Sequence, residues 1–319
     1  MQIGFSLPTR GPLSTPENLA LLARRGEEMG FDIISISDHV VIPRDIGSRY
    51  PYSASGEFSG DPSGSCLEQL TMLTYIAAST KRVRLLTSVI IVPQRPPVLT
   101  AKQLASLDVL SNGRLIVGVG AGWMREEFEA LGAPSFDERG AVTDEYLHAF
   151  KELWTNEEPE FDGQYVHFGN IAFAPKPAQQ PHPPIWVGGE SAAALRRTAR
   201  LGDAWYPIGS NPRHPLETVE QLSAAIARLR TFAEEVGRDA SAIDLAYSAG
   251  WYNDREAQHA ADGTRRTFTG TPEEIAGDID GFSALGVRQL MLGLQGSTVD
   301  GMLARLDRFA SVVRPHIES

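Results

Sequence analysis

Short apolar runs alternate with longer amphipathic segments almost from one end of the chain to the other, and that alternation leaves few folds open. The runs span 2–6, 33–36, 83–92, 115–119, 185–187, 204–206, 243–247 and 287–292, and each reads as a strand. Helical patterns follow them at 15–29, 67–78, 98–110, 139–154, 191–201, 216–236, 271–285 and 298–312. Thr15-Pro16-Glu17 carries an N-cap and a proline for the first turn, and Gly30 stands at the other end of that helix. Eight strands with eight helices predict an α/β fold of the (β/α)8 TIM-barrel type, since an open doubly wound sheet has six or so strands. The rhythm breaks at 160–175, where Asp162-Gly163 between aromatic and β-branched residues predicts a hairpin inserted between units four and five. No boundary divides the chain, so residues 1–319 are expected to form one domain, with loop insertions at about 43–65, 160–184 and 250–269.

Functional groups of such a barrel gather at the carboxyl ends of the strands. Those ends are Leu7-Pro8-Thr9, Ser37-Asp38-His39, Ser88-Val89-Ile90, Gly120-Ala121-Gly122-Trp123, Gly188-Gly189-Glu190-Ser191, Tyr206-Pro207-Ile208-Gly209, Ser248-Ala249-Gly250 and Gly293-Leu294-Gln295-Gly296. Their chemistry excludes several enzyme classes. Asp38 and His39 form the only adjacent pair of the kind a metal hydrolase brings to its rim, so no metal site is expected. A Schiff-base aldolase needs a lysine on a strand, and the four lysines, at 81, 102, 151 and 176, all lie elsewhere. A glycosidase needs opposed carboxylates, for which only Asp38 and Glu190 qualify. What is left is a cofactor that carries the chemistry.

The net charge of −11 and the lack of any basic cluster exclude nucleic acid and anionic membrane as main partners and favour a small-molecule substrate. Cys66 is the only cysteine, so neither an intrachain disulfide nor a cysteine metal cage can form, which suits a reducing cytoplasm. No apolar run approaches the roughly 20 residues of a membrane helix. Gly118, Gly120 and Gly122 leave backbone bare at a strand end. They read either as structural glycines at a bend or as clearance for a flat ligand.

Order and spacing of longer fragments go further. Gly30-Phe31-Asp32 leads to Ser37-Asp38-His39, then come Leu104 to Asp108, Leu110-Ser111-Asn112-Gly113-Arg114 and the glycine crest with Glu126-Glu127-Phe128. Pro184 to Ser191 and Gly270-Thr271-Pro272-Glu273-Glu274 with Gly286-Val287 complete the set. Over nearly its whole length the chain resembles the bacterial luciferase-like superfamily of flavin- and deazaflavin-dependent TIM-barrel oxidoreductases, and within it the probable F420-dependent subgroup. The resemblance implies a ring across the barrel mouth with its phosphate further out. It places Thr87, Ser88 and Val89 behind the ring, with a non-prolyl cis peptide at Ser88-Val89, and Gly120, Gly122 and Trp123 beside it. Gly188, Gly189, Glu190 and Ser191 would meet the phosphate through backbone N–H groups and the helix dipole, or Ser191 is simply an N-cap.

His39 is the leading candidate to exchange a proton or to contact the ring, with Asp38 orienting it or binding the ring; the alternative is a buried histidine tied to Asp38. Glu126 or Glu127 favours the start of a helix or contacts cofactor. Tyr50, Tyr52, Phe58 and Trp251 are expected to line a substrate pocket, or else to support their own loops. The implied activity is hydride transfer between F420 and a small organic substrate. The alternatives are an FMN-dependent monooxygenase fed by a separate reductase and a cofactor-binding protein without turnover. A homodimer is implied by the resemblance alone.

Overall fold

Parallel strands close into a barrel in the computed structural model, which describes residues 1–58, 60, 63–259 and 263–317. Positions 59, 61 and 62 of the expected 43–65 insertion and 260–262 of the expected 250–269 insertion lie outside the described residues. The barrel strands are β1 (Gln2–Ser6), β2 (Ile33–Ile36), β3 (Arg84–Thr87), β4 (Leu115–Gly120), β5 (Ile185–Gly188), β6 (Ala204–Tyr206), β7 (Asp244–Ser248) and β8 (Val287–Leu292). β1 pairs with both β2 and β8, and the ring closes where Leu85 and Leu86 of β3 lie beside Leu115 and Ile116 of β4. Around it run α1 (Pro16–Glu28), α2 (Gln69–Ser79), α3 (Pro97–Leu110), α4 (Arg125–Leu131), α5 (Arg139–Thr155), α6 (Ala192–Leu201), α7 (Val219–Glu235), α8 (Pro272–Ala284) and α9 (Val299–Arg308).

Side chains start most of these helices. Thr15, Glu68, Ser191, Thr218, Thr271 and Thr298 each accept a hydrogen bond from the backbone N–H three residues on. Each such cap stabilises by about 1 kcal/mol. They also explain where the expected boundaries moved. The helix expected from 67 begins after the Glu68 cap, and the one expected from 216 begins after Thr218. Leu216 stays outside its helix because its carbonyl accepts the Tyr247 hydroxyl at 2.6 Å.

Three further departures matter. The strand expected over 83–92 stops at Thr87, continues only as Ile90–Ile91 beside Val119 and Gly120, and turns into a short 3-10 segment. The helix start expected at Glu126 or Glu127 is a separate short helix, α4, between β4 and α5, and not part of the helix expected from 139. The inserted hairpin is minimal, with Phe161–Asp162 antiparallel to His167–Phe168, and Asp162-Gly163 is not its two-residue turn. Instead the Glu145 carboxylate of α5 accepts the N–H groups of Gln164, Tyr165 and Val166 at 2.6–2.9 Å and shapes a longer loop.

Two apolar clusters divide the interior. Ile33, Leu86, Ile116, Trp186, Ala204, Tyr206, Ala246 and Met291 pack together inside the ring. Gly4 belongs to the same plug, since a Cβ there would meet the Met291 sulfur at 2.4 Å. The larger cluster fills the layer between strands and helices. With the ring filled by side chains, access is left to the carboxyl ends of the strands. Among the described residues no helix is long and apolar enough to cross a membrane.

Candidate active site

The break in β3 shapes the barrel mouth. The Ser88–Val89 peptide is cis, and the chain resumes pairing at Ile90. Val89 thereby fills the space beside two other strands: a Cβ on Gly120 would lie 2.7 Å from its Cγ2, and one on Gly188 would lie 3.1 Å from its Cγ1. Ser88 shares a hydrogen bond with the Tyr206 hydroxyl at 3.0 Å, tying β3 to β6 across the mouth. Burial pushes the Tyr206 phenol up, against the pull of Ser88 and Ser248, so it stays protonated at neutral pH.

A cavity of about 400 Å³ opens over this surface. Val89, Gly120, Gly188 and Tyr206 line it on the barrel side, and Tyr52 and Trp123 stand at its edge. Its other end is polar, with Arg139, Arg197, Gly189 and Ser191. There Arg197 and Arg200 share Asp144, and Arg125 pairs with Asp137 at 2.6 Å. Arg139 donates to the carbonyls of Phe136 at 2.8 Å and Gly122 at 3.3 Å, and among the described residues it has no carboxylate partner. Of the side chains that line this end, two guanidinium groups, Arg139 and Arg197, stand against one carboxylate, Asp137, while Arg125 and Arg200 pair with Asp137 and Asp144 from outside the lining. Ser191 Oγ caps α6 through the Ala194 N–H at 3.2 Å, the plainer of its two expected uses, and the residue still lines the cavity.

His39 stands on the loop after β2, where its imidazole meets Phe58 at 5.0 Å and Trp123 at 6.4 Å between centroids. Its Nδ1 lies 3.0 Å from Glu127 Oε2, and Glu127 Oε1 accepts the N–H groups of Val40 at 2.8 Å and Val41 at 3.3 Å. Burial would raise the Glu127 carboxyl, but His39, the Val40 N–H and the Gln94 side chain outweigh it and hold the group below its ordinary value. It is therefore ionised at neutral pH. Its neighbour Glu126 accepts the N–H groups of Gly47 and Ser48 at 2.8 and 3.0 Å. The first turn of α4 thus pins both the start and the middle of the loop that follows His39.

The expected site residues separate into three groups. Val89, Gly120, Gly122, Trp123, Gly188, Gly189 and Ser191 do surround one cavity. Tyr50, Tyr52 and Phe58 join Trp123 and His39 in one aromatic group, with Tyr50 5.1 Å and Phe58 5.2 Å from Trp123. The others point elsewhere. Asp38 does not orient His39: Arg95 holds both its oxygens at 2.7 Å and the Ile91 N–H donates to it at 2.9 Å, so it clamps the loop after β2 to the break in β3. Thr87 is buried with its hydroxyl on the Gly118 carbonyl at 2.8 Å. Glu190 turns away from the cavity to Ile208 N and Asn211 Nδ2, both at 2.7 Å, and burial raises its carboxyl despite these donors. Trp251 is 8% exposed, donates to the Thr267 carbonyl at 2.7 Å and lies under Arg266, so it supports its own loop.

Sequence reasoning missed Arg139 and Arg197, because both fall inside helical patterns where charges read as solvated faces. It reached Tyr206 and Ile208 as strand ends without giving them a part. The His39–Glu127 pair spans 88 positions, which no local pattern reports.

The chain is 32% identical over 281 residues to the uncharacterized protein Rv0953c of Mycobacterium tuberculosis, covering 87% of this chain and 94% of that one. It is 33% identical over 193 residues to an FMNH(2)-dependent dimethylsulfone monooxygenase of Pseudomonas putida, covering 60% of this chain and 51% of that one. A solved F420-dependent secondary alcohol dehydrogenase superposes with a TM-score of 0.74 at 20% identity, over 99% of both chains, which is a likeness of fold. The model of the luciferase-like monooxygenase family matches residues 1–285, and the chain belongs to that family.

Proposed function

We propose that this protein is an F420-dependent oxidoreductase that transfers hydride between the deazaflavin and a small organic substrate. The observation that carries the reading is the cavity itself, which pairs a flat, side-chain-poor wall at Val89, Gly120 and Gly188 with an end where Arg139 and Arg197 outnumber Asp137 and where Arg139, among the described residues, makes no ion pair. Its volume of about 400 Å³ lies within the range of cofactor sites. The bare wall fits a planar ring, and Arg139, Arg197, Gly189 and Ser191 at the start of α6 fit a phosphate. When bound, the deazaflavin supplies hydride chemistry without ready activation of oxygen.

The chain's own residues then do the rest. Tyr52 and Trp123 flank the ring and, with Tyr50 and Phe58, keep water from the reacting face. Burial, with Glu190 nearby, pushes the Tyr52 phenol well above its ordinary value, so it acts as a hydrogen-bond donor and not as a base. His39 exchanges the proton that accompanies hydride transfer at the substrate.

Titrating the apoprotein with F420 and with FMN, followed by the fluorescence of each, tests the cofactor. Saturable F420 binding at micromolar concentration with none for FMN supports this reading, and the reverse overturns it. Replacing His39→Ala is expected to lower turnover about 100-fold or more while F420 still binds. Unchanged kinetics would remove His39 from the chemistry. A second reading, an FMN-dependent monooxygenase supplied by a separate reductase, has in its favour the 33% identity to the dimethylsulfone monooxygenase. If neither cofactor bound, both readings would fall.

The same reading includes a homodimer through α2 and α3. The α2 sequence contains no charged residue, and Tyr75, Leu99, Val109 and Leu110 are exposed on these two helices. Such a face is expected to be covered by a second copy of the chain. Light scattering after gel filtration would give twice the chain mass if so, and a monomer otherwise.

A further inference from the structure

Three consecutive residues at the start of α4 act on the loop after β2 in different ways. The Arg125 N–H donates to Ser48 Oγ at 3.0 Å, Glu126 holds Gly47 and Ser48, and Glu127 holds Val40, Val41 and the His39 ring. Only Glu127 touches the imidazole. Its side chain is 2% exposed and that of His39 is 13% exposed, so the contact is made away from solvent.

An ionised carboxylate can only accept hydrogen bonds. Oε1 of Glu127 already takes the two backbone N–H groups, and Oε2 faces the His39 nitrogen. A proton must therefore sit on Nδ1. The Gln94 side chain also serves this carboxylate, but the opposite tautomer would still set a nitrogen lone pair 3.0 Å from a buried negative charge, an arrangement buried sites avoid. Among the described residues the other ring nitrogen, Nε2, makes no hydrogen bond.

We propose that Glu127 is a positioning residue that fixes His39 as its Nδ1–H tautomer, leaving the Nε2 lone pair as the proton-accepting site, and that the same carboxylate locks this ring to the root of the aromatic loop. The consequence for catalysis rests on the reading of His39 given above; the tautomer itself does not. In the direction of substrate oxidation, the O–H proton of an alcohol-type substrate passes to Nε2 while its C–H hydride leaves for the cofactor. In the reverse direction protonated His39 returns that proton from Nε2. Glu127 keeps its charge throughout.

Glu126 supplies an internal control, because it anchors the same loop from the same helical turn without touching His39. The experiment is a long-range proton–nitrogen correlation spectrum of the full-length apoprotein labelled at histidine nitrogen, recorded where imidazole is neutral. The chain has seven histidines, and a His39→Gln difference spectrum identifies the resonances of His39. The expected result is the Nδ1–H pattern for His39 in the wild type, its loss in Glu127→Gln and its retention in Glu126→Gln.

An Nε2–H pattern in the wild type overturns the proposal, as does a Glu127→Gln spectrum with the pattern intact. The same change in Glu126→Gln would also overturn it, since loop anchoring alone would then account for the result. If Glu127→Gln failed to fold, the wild-type pattern and the Glu126→Gln comparison would still decide. None of these readouts needs the cofactor, so failure of F420 to bind would strike the proposed activity and leave the tautomer to be judged separately.

Discussion

The two glycine-rich turns at the ends of β4 and β5 stand side by side and read alike in the sequence, yet they lack side chains for different reasons. Within β4 and just beyond it the space is taken by the protein. A Cβ on Gly118 would lie 2.1 Å from the Thr87 carbonyl oxygen, and one on Gly122, where φ is +86°, would lie 2.7 Å from the Phe128 ring. After β5 the contacts are looser: a Cβ on Gly188 would lie 3.1 Å from the end of Val89, and one on Gly189, where φ is +101° and glycine is favoured for that reason alone, 3.2 Å from the Ala194 Cβ. Glycine thus allows close packing of the chain against itself in the first turn and leaves room beside the cavity in the second. Only Gly120, whose Cβ would strike the tip of Val89, belongs partly to both.

The largest effect that could break this comparison belongs to Gly118→Ala. The obstacle is backbone oxygen, not the flexible end of a side chain, so β3 and β4 must separate to admit the methyl group. Overpacking of this kind costs about 3 kcal/mol or more. For a chain of this length the loss corresponds to a fall in Tm of roughly 4–5 °C. Calorimetry would check it, and an unchanged Tm would mean that the close packing of β4 against β3 is not what requires glycine there.

Arg139→Gln comes next and acts on the open side alone. Its guanidinium has carbonyl partners but no carboxylate among the described residues, so removing the charge leaves no buried anion behind and stability should change by less than about 1 kcal/mol. Cofactor affinity should fall by about 10- to 100-fold, the loss expected for one charge-assisted hydrogen bond to a phosphate. The fall should shrink at high salt. Equal affinity in variant and wild type, measured by the same titration, would show that the positive end of the cavity does not hold the phosphate.

How much of this was legible beforehand follows from how far apart the interacting residues lie. The strands were readable because each is a short apolar run of its own, and the caps at Thr15 and Ser191 because a cap acts within three residues. The cavity wall was readable because the carboxyl ends of strands are fixed once a barrel is inferred. What could not be read depends on pairing across the chain. Arg95 takes Asp38 from 57 positions away, and Glu127 takes His39 from 88, so the two neighbours Asp38 and His39 answer to different partners. Glu190 sits in the right loop, yet Ile208 and Asn211 draw its carboxylate away from the cavity. Position along a strand predicts which loop a residue occupies, while the direction of its side chain is set by donors that the sequence does not bring near.

Gly188→Ala is the smallest perturbation and the most pointed test of the two turns. Its added Cβ meets Val89 Cγ1 at 3.1 Å and the Val119 carbonyl at 3.4 Å, contacts that a shift of a few tenths of an ångström relieves. Stability should therefore change by no more than about 1 kcal/mol, and Tm by roughly 1–2 °C. The methyl group would nonetheless reduce the bare surface offered to a flat ring beside Val89 and Tyr206, and binding should weaken several-fold without loss of folding. If Gly188→Ala lowered Tm as much as Gly118→Ala, the turn after β5 would be as tightly packed as its neighbour. If it altered neither Tm nor cofactor affinity, the ring would not lie against that wall, and the bare surface would owe its form to Val89 alone.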